Sequence, residues 1–141
     1  MNRIFCTILF ADFIFAAVLP GISRAADAIV TGPGVRTELW TGRVLTAKFR
    51  AGMCFEDNGK ARGVLILRHA NGNEDAYHLY GHIRNDTFEL SHSSGHHFAG
   101  RLVSPDEMEG SVKISKGPKL SLSGKRVLNA PLAASDCAPL Y

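Results

Sequence analysis

Much of what would name an activity is missing from this sequence. No Gly-x-Ser-x-Gly elbow presents a serine nucleophile, and no glycine-rich loop is arranged to cradle a phosphate. Beyond residue 28 there is no apolar run of the roughly 20 residues that a bilayer-spanning helix needs, so no transmembrane segment is expected there. No stretch in that part carries the apolar period of a helix. Charge of one sign never gathers. The net charge of +3 comes from basic residues set singly, from Arg43 and Lys48 to Lys125 and Arg126, which fits a solvated sheet face and argues against a nucleic-acid partner. Tryptophan occurs once, as Trp40, where a core or barrel-plug role is expected.

What is present begins with an export signal. Asn2-Arg3 forms a short positive region, Ile4 to Leu19 an apolar one, and Pro20-Gly21 leads into small residues suited to cleavage. Cleavage after residue 25 or after residue 28 satisfies the small-x-small rule equally well. A signal peptide is therefore expected over 1–28, a flexible leader over 29–36 with Thr31-Gly32-Pro33-Gly34 as its punctuation, and a single domain over 37–141. This places the protein in the periplasm or the secreted space. Cys6 reads as an apolar filler of the removed peptide.

Two cysteines then remain, Cys54 and Cys137, in a chain bound for an oxidising compartment, and a disulfide between them is expected. It would close a loop of over 80 residues, worth about 4 to 5 kcal/mol on the chain-entropy account.

The stretch from Arg62 to Val127 alternates apolar and polar residues in short segments. Asn71-Gly72 and Asn85-Asp86 mark tight turns, and Ser104-Pro105-Asp106-Glu107 and Ser115-Lys116-Gly117-Pro118 mark two more. Thr37 to Arg50 reads as one long first strand bent at Gly42. About seven such arms predict an all-β fold, a small antiparallel meander closing into a barrel-like domain. Gly81, Gly100, Gly110 and Gly124 fall on the apolar parity of their arms, as the sharp coiling of a small barrel demands.

Histidine is the one over-represented chemical group. His78 and His82 share a strand face while His92, His96 and His97 crowd the neighbouring turn, so these five are candidate ligands of a transition metal, Zn or Cu. Strand geometry works against His78 and His82 sharing an ion, since i and i+4 lie about 13 Å apart. A hydrolytic pairing of Ser91, Ser93 or Ser94 with these histidines is disfavoured because immediate neighbours point different ways. No catalytic residue, and hence no enzyme, is expected.

The segment Ser91-His92-Ser93-Ser94-Gly95-His96-His97-Phe98 is the candidate binding loop. It resembles the serine- and glycine-bearing loop of the small periplasmic inhibitors of C-type lysozyme. The resemblance implies an exported, disulfide-closed barrel whose loop enters a lysozyme cleft, with Ser94 as the inserting residue and Phe98 in place of the usual tyrosine; His96 and His97 depart from that pattern. Three expectations follow. The first is a non-enzymatic binding protein for an envelope or extracellular protein or glycan, the second a histidine metal-binding protein, and the third an inhibitor of a lysozyme-type cell-wall hydrolase.

Overall fold

The computed structural model describes residues 35–137. The expected signal peptide over 1–28 and most of the leader over 29–36 lie outside the described residues. Eight strands follow one another: β1 (Val35–Val44), β2 (Ala47–Glu56), β3 (Lys60–Arg68), β4 (Glu74–Arg84), β5 (Thr87–Ser91), β6 (His97–Leu102), β7 (Glu107–Lys113) and β8 (Lys119–Leu128). Each pairs antiparallel with the next, and β1 pairs with β8, so the meander closes into a barrel.

The first arm corrects the sequence reading in two ways. Val35 and Arg36, expected in the leader, are the opening residues of β1. The long strand expected over Thr37 to Arg50 is instead a hairpin, turned at Leu45-Thr46 between Val44 and its partner Ala47. Paired residues point to the same face, so a two-residue turn shifts the inward parity. Trp40 and Val44 face the interior before it, and Phe49, Ala51, Met53 and Phe55 after it. The mixed parity of that stretch therefore reflects the turn and not a bend. Leu45 holds a left-handed backbone, with φ of 53°.

Glycines let the sheet close. Gly42 pairs with Gly124 across β1 and β8, and Gly100 with Gly110 across β6 and β7. At each of these positions a Cβ would collide with a carbonyl oxygen of the neighbouring strand. The interior is filled by side chains, chiefly Trp40, Phe49, Met53, Phe55, Leu79, Phe88, Leu90, Phe98 and Met108, and is a packed core rather than a channel. Outward positions carry charged side chains such as Arg43, Lys48, Glu109 and Lys125, the reverse of a membrane-spanning barrel's arrangement. No helix among the described residues is long and apolar enough to cross a membrane.

The two ends of the barrel differ. At the end where β1 enters, the fully buried carboxylate of Glu38 accepts a hydrogen bond from Trp40 Nε1 at 2.7 Å. Arg36 Nε lies 3.1 Å from that carboxylate and Arg126 Nη1 3.3 Å. Arg126 Nε also donates to the carbonyl of Pro105 at 2.7 Å. The Arg36 guanidinium covers the Phe55 ring at 4.8 Å. These charged groups plug the interior at this end, where a pocket of about 490 Å³ is lined by Arg36, Phe55, Ile83, Leu102 and Arg126 together with turn residues such as Asp57 and Asp86.

Outside the barrel the tail folds back as a 3-10 turn, Ala134–Cys137, over β2 and β3. The expected Cys54–Cys137 disulfide is present, with Cα atoms 5.6 Å apart. Leu132 and Ala130 bury themselves against Cys54, Cys137 and Leu39. Arg50 grips Asp136 through two hydrogen bonds of 3.0 and 3.1 Å, and Thr37 Oγ1 donates to the carbonyl of Ala130 at 2.7 Å.

Candidate functional site

The opposite end gathers the turns β1–β2, β3–β4, β5–β6 and β7–β8, and there the core does not fill the barrel. A cavity of about 60 Å³ remains, lined chiefly by Val44, Leu65, Leu67, Phe98 and Val112, with Tyr77 and His96 also on its wall. Val44, Leu65, Leu67, Phe98 and Val112 lie on the inward parity of their strands, and they end at this level because the strands do.

The candidate loop joins β5 to β6 at this end. Its base is a strand pair, Ser91 opposite His97, with Ser91 Oγ 3.2 Å from His97 Nδ1. Two backbone bonds close the turn: His92 N–H donates to the carbonyl of His96 at 3.0 Å, and Gly95 N–H to that of His92 at 2.9 Å. Ser93 and Ser94 are exposed at the tip. His92 Nδ1 accepts the backbone N–H of Ser94 at 3.2 Å and stands 2.7 Å from the Ser94 hydroxyl. The loop also leans on the β7–β8 turn: Ser115 N–H donates to His96 Nδ1 at 3.2 Å. Gly95 is required at that junction, because its φ is +86° and a Cβ would lie 2.7 Å from Ser115 Oγ.

Three rings form the rim. His92 and His96 are stacked, 16° from parallel, and the edge of Tyr77 meets His92 at 5.3 Å and His96 at 5.7 Å between centroids. Burial, then the charges of His96 and His78, push His92 below the ordinary imidazole range. Burial, followed by Asp75, pushes the Tyr77 phenol up.

The sequence-predicted residues are thus divided by the fold. His92 and His96 come together, and His78 lies near enough for its charge to act on His92. His82 is drawn aside to Glu89, 3.8 Å away, and His97 to Ser91. Among the described residues no three His, Cys, Asp or Glu side chains are grouped to hold a metal ion, so the five candidate ligands do not converge. Phe98 is not a loop residue: it lies in β6 with its side chain in the core, forming part of the cavity wall. In the sequence Tyr77 only shares a strand parity with Leu79, Gly81 and Ile83. Its place at the rim comes from closure of the barrel, and the single hint in the sequence is a hydroxyl-bearing ring on the inward parity of β4, two residues after Asp75.

Fold and site together define a small closed antiparallel barrel with a packed interior, one plugged end and one end bearing loops over an apolar recess. No protein-family profile matches the chain, and no curated protein matches it. Among solved structures, the chain is similar to a de novo designed fluorescence-activating beta barrel. That similarity spans 72% of this chain and 99% of that one, at 20% identity with a TM-score of 0.41.

Proposed function

We propose that the protein is an exported, non-catalytic binding module that engages an envelope or extracellular protein or glycan through the loop end of its barrel. The observation that carries this reading is the conjunction, at the loop end, of an apolar recess with a rim of Tyr77, His92 and His96 and an exposed serine tip. Export is supported by the charged-then-apolar amino end and by the paired cysteines. A binding role, as opposed to catalysis, is supported by the use made of the imidazoles. The hydrogen bonds of His92 and His96 go to Ser94 and Ser115 within the turns, where they hold loop shape. The test is a pull-down from envelope extract with wild type and with Ser94→Ala/His96→Ala. A partner retained by the first and lost by the second is expected; identical profiles dismiss the loop end.

A second reading, inhibition of a lysozyme-type hydrolase, is favoured by the exposure of Ser94 at the tip of the turn. The net charge of +3 opposes docking to a basic lysozyme. Undiminished lysozyme activity in excess protein removes this reading.

A further inference from the structure

The recess has a size, a wall chemistry and a hydrogen-bonding rim, and these narrow what can enter it. Its volume of about 60 Å³ admits a group of a few carbon atoms and nothing larger without repacking. No Asp, Glu, Lys or Arg side chain lines it, so an ionised group would lose its hydration there with no ion-pair partner in return. The rim sets the polarity of what lies beside that group. Because Ser115 N–H donates to His96 Nδ1, the neutral ring carries its proton on Nε2, and the free nitrogen of His96 is a donor. A ligand atom that pairs with it must be an acceptor.

We propose that the recess, on the reading that the loop end is the binding surface, receives the short alkyl end of an uncharged ligand bearing an adjacent carbonyl-type acceptor, a short acyl group being the simplest case, and holds it only while His92 and His96 are neutral. The dependence on neutrality follows from the bonds. A second proton on either ring must go to Nδ1, the atom that accepts Ser115 N–H in His96 and Ser94 N–H in His92. Protonation therefore removes both bonds, turns the stacked pair into two facing cations and places charge beside an apolar opening. The surrounding groups add to this. His78, Tyr77 and Asp75 approach from β4, with His69 bound to Asp75, while His97 and its strand partner Lys113 stand on β6 and β7 and Lys116 follows Ser115 in the next turn. Asp75 is the one carboxylate in this set, against two lysines and the other histidines. The lowered affinity of His92 for a proton agrees with that balance.

The experiment is methyl NMR of the disulfide-intact protein, following Val44, Leu65, Val112 and Leu120, titrated with 2-butanone, 2-pentanone and sec-butylammonium. At about pH 7.5 the ketones should give saturable shifts at these methyls, with about fourfold tighter binding for the added methylene until the recess is full. The ammonium ion should give none. Binding should weaken progressively as the pH is lowered, under conditions where the amide spectrum remains that of the folded chain. Val112→Leu and Leu67→Phe, which fill the recess from different strands, should each abolish the shifts. Three results overturn the proposal: no saturable shift at the higher pH, equal shifts from the cation, or an affinity indifferent to acid. Ketone occupancy without a loop-dependent partner in the pull-down leaves this inference standing and removes the functional reading. A loop-dependent partner with an empty recess does the reverse.

Discussion

The imidazole rings of His92 and His96 lie stacked, 6.1 Å apart between centroids, and each meets an edge of Tyr77. His92 makes stability depend on acid. His92 binds its proton less tightly in the folded chain than in the unfolded one, through burial first and then the charges of His96 and His78. The unfolded chain therefore takes up more protons just below the free imidazole value of about 6.5. The neutral ring's contribution is intact above that value and is lost as the pH falls through the lowered folded value. Urea midpoints measured from neutral pH downward should decline across this window, and His92→Gln should flatten the decline. A slope unchanged in the variant contradicts the assignment to His92.

Gly52 and Asp136 form a second dependence. A Cβ at Gly52 would lie 2.6 Å from both the Cβ and the carboxyl carbon of Asp136, the residue that Arg50 holds. Gly52→Ala should cost about 1–3 kcal/mol by overpacking the seat of the tail. In an Asp136→Gly background the same change should cost well under half as much, and denaturant unfolding of the four proteins measures the coupling. Additive effects would show that the two residues do not meet.

At the plugged end, Glu38→Ala would strand the Trp40 indole N–H and leave Arg126 without its buried carboxylate. A loss of about 3–5 kcal/mol is expected. Glu38→Gln, which keeps an acceptor for Trp40, should lose less, and thermal melts of the two variants give the order. Equal losses would mean that the ion pairs, and not the indole bond, dominate this plug.

Removing the Cys54–Cys137 bridge, which spans 83 positions, should destabilise the fold by about 4 to 5 kcal/mol on the chain-entropy account. Reduction should lower the urea midpoint of the wild type and leave that of a Cys54→Ala/Cys137→Ala variant where it was. A reduced midpoint equal to the oxidised one would place the tail's stability in Arg50–Asp136 and Leu132 instead.

Local chemistry explains which features could be read without coordinates. The turns at Asn71-Gly72 and Asn85-Asp86 use residues suited to left-handed backbone, and Gly72, Asn85 and Asp86 do adopt positive φ. The turn at Leu45-Thr46 carries no such residue, since Leu45 takes φ of 53° without being glycine or asparagine, and the hairpin there was hidden. The glycines on the apolar parity marked closure because close strand approach excludes a Cβ whatever the neighbours are. Glu38 and Arg126 stand 88 positions apart and meet only because β1 closes on β8. The loop from Ser91 to His97 showed in its composition, but the recess beneath it did not. Val44, Leu67, Tyr77 and Val112 come from four strands, and only the register of the whole barrel sets them around one space.

The most direct test of the binding reading compares the two ends of the barrel in the native host. A photoreactive benzoylphenylalanine placed at Ser94, in the exposed tip of the loop, should crosslink to a discrete partner on illumination, whereas the same residue at Asp86, in an exposed turn at the opposite end, should not. Crosslinks of equal yield from both positions, or from Asp86 alone, would contradict the loop end as the binding surface.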